Sequence, residues 1–143
     1  MTDTETTKAR HQTMGYIRHN AIIVTGSGYA LDGQFGITAP DIDSFRQSLP
    51  EKWQRLVIGP VQSIVNDYRS FVFLPDGSKE GSEDSELGDR YRERFVDLFS
   101  FSYDDGSSPY EVLVVDARFG GDEPGAGLEP ELIVTANPHV KRR

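Results

Sequence analysis

Between Leu87 and Phe99 the chain keeps one apolar stripe at helical spacing. Leu87, Tyr91, Phe95, Leu98 and Phe99 recur at i, i+4, i+8, i+11 and i+12, while Arg90, Arg92, Glu93, Arg94 and Asp97 fall elsewhere on the helix. A stripe of that kind has to be buried against another apolar layer. The rest of the sequence supplies one. "HNAIIVT" (19–25), "YRSFVFLP" (68–75), "YEVLVVDARF" (110–119) and "ELIVTA" (131–136) are short runs rich in β-branched and aromatic residues, each closed by turn formers. One amphipathic helix among several short strands makes this an α+β chain.

The remaining segments fill in an order. "GYALDGQFG" reads as a glycine-punctuated loop. "TAPDIDSFRQSL" reads as a helix. Thr38 and Asp41 form a capping-box-like pair, Pro40 lies in the first turn, and Ile42, Phe45 and Leu49 share a face. "SLPEKW" predicts a second short helix with Trp53 folded back on the first. "RLVIGPVQSIV" is strand-like, and Gly59-Pro60 confines it to an edge or a bulge, because proline cannot donate to a ladder. Asn66-Asp67 turns it into the next strand. The order β-α-β-β-α-β-β predicts a ferredoxin-like βαββαβ sandwich, both helices on one sheet face, with an additional C-terminal strand. Residues 14–143 form one domain behind a flexible arm at 1–13.

The chain of 143 residues contains no cysteine, which removes disulfides, thiolate catalysis and cysteine-ligated zinc. Its N-terminus has no apolar signal region, and no run approaches the roughly 18 apolar residues of a membrane span. Net charge is −8, so a nucleic-acid backbone is an unfavourable partner. "YRSFVF" also departs from the aromatic pattern with which RNA-binding sheets stack bases.

The charge is concentrated. From Asp76 to Asp89 there are six acids and one base, Lys79. Asp76, Ser78, Glu80, Gly81 and Asp84 occupy positions 1, 3, 5, 6 and 9 of a calcium-loop pattern, but Leu87 stands where the bidentate glutamate belongs. No Gly-Lys-Ser/Thr sequence makes it a phosphate loop. "TGSG" after the first strand lacks the third glycine of a dinucleotide site at the required spacing. His11, His19 and His139 show no metal-ligand spacing, and Asp104-Asp105 reads first as a turn. These patterns give no cofactor.

"YRSFVFLPDGSKEG", an acidic segment, "GDRYRERFVDLF" and "YDDGSSPYEVLVV" together resemble small uncharacterised proteins of actinobacteria and their phages, over roughly 19–25 and 66–116, with Ser82 in place of an aromatic. The resemblance implies a phage or actinobacterial setting, in the cytoplasm of the host cell or in the virion, and no particular activity. The expected function is therefore non-catalytic contact with another protein, which the acids make basic. Glu80, Glu83, Asp84, Glu86, Arg69 and Tyr68 are the candidate partner-binding residues. A self-interface is expected as well, because an open sheet face must be covered or polar. The rival is a small metal-dependent hydrolase using Asp76, Glu80, Asp104 or Asp105, and the third reading is a virion structural component.

Overall fold

The first apolar run becomes the central strand of the sheet, β1 (Arg18–Ser27). The computed structural model describes residues 17–32, 40–99, 112–120 and 131–138. The arm expected at 1–13, Thr38, the Asp104-Asp105 doublet and the "GGDEPGAGLEP" loop lie outside the described residues. After β1 come three short helices, α1 (Gly28–Leu31), α2 (Ile42–Gln47) and α3 (Glu51–Gln54), then β2 (Val57–Gln62) and β3 (Tyr68–Phe73). The long helix α4 (Glu83–Asp97) precedes β4 (Val112–Gly120) and β5 (Glu131–Ala136). The fold is α+β. Its five strands form one antiparallel sheet in the order β2-β3-β1-β4-β5.

Local chemistry sets the boundaries. Asp41 caps α2 by accepting from the Ser44 backbone N–H at 2.9 Å and the Ser44 hydroxyl at 2.8 Å. The Ser44 bonds hold the Asp41 carboxyl below the usual carboxylate range. Asp41 is thus the cap itself, and Pro40 lies before the helix, not in its first turn. Ser82 caps α4 by accepting from Ser85 N–H at 3.2 Å, and Glu83, Asp84 and Glu86 occupy the electropositive first turn. The segment at Gly28–Leu31, expected as loop, closes one helical turn that buries Ala30 and Leu31.

β2 is an edge strand whose register with β3 shifts between Ile58 and Val61, where the cis Gly59-Pro60 bond lies. Gly59 has φ +130°, and a Cβ there would approach the Ser70 carbonyl to 2.8 Å. The core lies between the sheet and the helices. Ile22, Val24, Val57, Phe71, Phe73, Val112 and Val114 point from the strands toward Phe45, Trp53, Phe95 and Phe99. Of the α4 stripe, Phe95 and Phe99 are fully buried, and Leu87, Tyr91 and Leu98 pack against the cluster.

Candidate functional site

All helices that contribute to the core lie on one face of the sheet, so strand alternation decides what the other face presents. Register defines its rows. Ile58, Val72, Ile23, Val115 and Ala136 are successive cross-strand partners on all five strands. Beside them run Val61, Ser70, Thr25 and Leu113, with the Thr25 and Ser70 hydroxyls 2.9 Å apart. On the other side lie Ala21, Ala117 and Val134, then His19, Phe119 and Leu132, with the His19 and Phe119 rings 5.4 Å apart. No Asp, Glu, Lys or Arg occupies these positions, in a chain with 38 such residues.

An antiparallel sheet open to water normally alternates apolar and polar residues. Here "AIIV" in β1 and "VLVV" in β4 are apolar on both faces. Leu113 is 52% exposed and Ile23 45%, although both sit on interior strands. Leu132, Val134, Ile58 and Val61 continue the exposed apolar surface to both edges.

A second feature lies under α4, on the helix side. Arg92, which the stripe places away from the core, is buried. Its Nη2 donates to Asp76 Oδ2, its Nη1 lies 3.6 Å from Asp89, and its guanidinium stacks 5.5 Å from the centre of the Phe73 ring. Arg92 Nε has no hydrogen-bond partner. Burial pushes the Asp76 carboxyl up. Ser78, whose N–H donates at 2.7 Å, and the Arg92 guanidinium outweigh that and hold it below the usual range. The linear run of acids from Asp76 to Asp89 predicts one solvent-facing acidic stretch, and the burial of the Asp76 side chain removes its first member from that surface. A cleft of about 340 Å³ runs from Arg92 and Asp89 past Asn20, Asp116 and Arg118. Asn20 donates to Asp116 Oδ1 at 2.7 Å and to the Ala117 carbonyl at 3.2 Å. The Asn20 bonds tie β1 to β4 along the cleft floor, and the Arg92–Asp76 pair ties α4 to the segment that follows β3. Among the described residues no group of three or more His, Asp or Glu side chains gathers at metal-binding distance.

The expected partner-binding residues divide into two groups. Glu83, Asp84 and Glu86 are exposed on the first turn of α4, with Asp84 3.8 Å from Lys52, and Glu80 is half-buried just before them. Tyr68 and Arg69 open β3, at the end of that strand remote from the acids. Arg69 is held by Asp32 through two contacts, one of 3.3 Å, and lies 3.9 Å from Asp67. The Asp32 bond raises its pKa. Tyr68 alone of the six lies on the open face, 46% exposed. Sequence reading expected contact at an exposed sheet edge or at the sheet face without helices, but of the residues on that face it named only Tyr68. The signal for the others was present in the unbroken apolar runs of β1 and β4, which reach both sides of the sheet. No protein family, curated protein or solved structure matches the chain.

Proposed function

We propose that this protein works by contact with another polypeptide rather than by catalysis, and that the open sheet face is where contact is made. The observation that carries the reading is the uncharged apolar surface running across all five strands. Water contact over such an area is unfavourable by about 25 cal/mol for each Å² that a partner could cover. The acids Glu83, Asp84 and Glu86 lie on the helix side. They act, through long-range electrostatics, on the rate of encounter rather than on the affinity of the apolar face. The setting is the actinobacterial or phage one that the resemblance implies, in the host cytoplasm or the virion.

The finer fold reading belongs with this function. We take the first four strands and their helices as a ferredoxin-like sandwich, extended by β5. β1 between β3 and β4, β2 beyond β3, and antiparallel pairing of every neighbour support it. A sandwich of that kind leaves one sheet face uncovered by its own helices.

Photo-crosslinking in cells that express the full chain tests the contact. A crosslinker at Leu113 should capture a polypeptide, identified by mass spectrometry, and one at Glu93 on the outer side of α4 should not. Absence of any crosslinked product from Leu113, or equal products from both positions, overturns the reading.

A further inference from the structure

We propose that the occupant of the open face is a second copy of this chain, packed sheet against sheet about a two-fold axis. The proposal rests on the contact reading above and names its partner.

Three observations converge on a copy. The first is charge. A patch that recognises a charged partner carries charges of its own, yet every described position facing outward from the sheet, from Ile58 across to Ala136, is uncharged. Two chains of net −8 can approach closely only where neither presents acids, and this face is such a place. The acids of α4 stay on the far side of each sheet, away from the junction. The second is area. Five strands at a spacing of about 4.8 Å span about 24 Å, and strands of six to ten residues are about 20–33 Å long. The face is therefore roughly 500–800 Å², close to the roughly 800 Å² per partner of a stable interface. The third is shape. A two-fold interface needs a patch that complements itself. A sheet face surfaced mainly by Ile, Val, Leu and Ala, with Thr25, Ser70, His19, Phe119 and Tyr68 among them, does so by aligned sheet packing, each copy supplying one side of a layer about 10 Å thick. Ile23 and Leu113, on adjacent central strands, fall near the middle of that layer.

The purified full chain, examined by sedimentation equilibrium, should be a dimer. Leu113→Asp and Ile23→Lys each bury two unpaired charges per dimer and should raise the dimer dissociation constant by at least about 100-fold. Gln47→Lys, an exposed change on the helix side, should leave it unaltered. Circular dichroism establishes that each variant is folded. The absence of native cysteine gives a second readout that needs no charge in the interface. The thiol introduced by Leu113→Cys should react with a maleimide more slowly as protein concentration rises, reaching at least about a tenfold loss of rate where the dimer is saturated. A monomer with a fast, concentration-independent labelling rate overturns the proposal. So does a slow rate independent of concentration, which would place another segment of the same chain on the face, or a dimer that survives both face variants. A monomer in solution whose Leu113 crosslinks a different protein in cells defeats the second copy and leaves the contact reading standing.

Discussion

At the scale of single residues, two positions show what holds α4 in place. Phe95 is fully buried and sits among three rings, its centroid 5.7 Å from Phe45 and from Phe73 and 5.3 Å from Phe99. These contacts join the long helix to α2 and to β3 at one point. Phe95→Ala should lower the unfolding free energy by about 3–5 kcal/mol, because the site is enclosed on all sides and cannot collapse around the loss. Urea denaturation at neutral pH measures it, and a cost under about 1 kcal/mol would mean that the helix does not dock here. Gly88 is the second position. A glycine inside a helix is about 1 kcal/mol worse than alanine. A Cβ at Gly88 would lie 2.5 Å from Asp76 Oδ2, 2.9 Å from Arg92 Nη1 and 3.2 Å from Trp53. The glycine therefore opens the helix surface for the ion pair beside it.

At the scale of elements, α4 carries two kinds of attachment. The apolar one was legible in the sequence, since Leu87, Tyr91, Phe95, Leu98 and Phe99 recur at helical spacing and all meet the core. The polar one was not. Arg92 lies three residues before Phe95 and seven before Phe99, on the same helix face, yet its charge argues for solvent in a linear reading. Its burial is decided by Asp76, which is 16 residues away and reaches it only after the β3–α4 connection folds back. The same distance effect hid the turn at Gly28–Leu31, whose glycines suggest a loop until Ala30 and Leu31 find the core. The buried pair gives a pH signature. Asp76 is held below its unfolded value, so the stability it contributes is present above an unfolded pKa of about 3.9 and is lost as pH falls through the lower folded one. At neutral pH Asp76→Asn should be less stable than the native chain by about 3 kcal/mol, because Arg92 then loses its buried counter-ion and keeps only the exposed Asp89 carboxylate 3.6 Å away. Chemical denaturation along a pH series should show the gap steady down to about pH 4 and narrowing only below it. A gap already closing near pH 6 would show that the Asp76 carboxyl is not depressed.

At the scale of the whole molecule, the distribution of charge separates two surfaces that the sequence presents as one problem. An acidic stretch is conspicuous in a linear reading, and Glu83, Asp84 and Glu86 do reach solvent. The apolar face is inconspicuous, because its residues come from five strands far apart in the chain and become neighbours only through register. A dimer joined through that face would have an uncharged junction and a net charge of −8 on each half. Its association should then respond to salt in the opposite sense from an ion-paired complex. Between about 0.05 and 0.5 M sodium chloride the screening length falls from about 14 Å to about 4 Å. Repulsion between the halves fades over that range while the apolar contact is undiminished, so the dimer dissociation constant should fall severalfold. Sedimentation equilibrium at the two salt concentrations decides it. A dimer that loosens with salt would place acids and arginines of the two copies in contact, and the interface would then lie on the helix side, around α4 and the Asp89–Arg92 cleft, instead of on the open sheet.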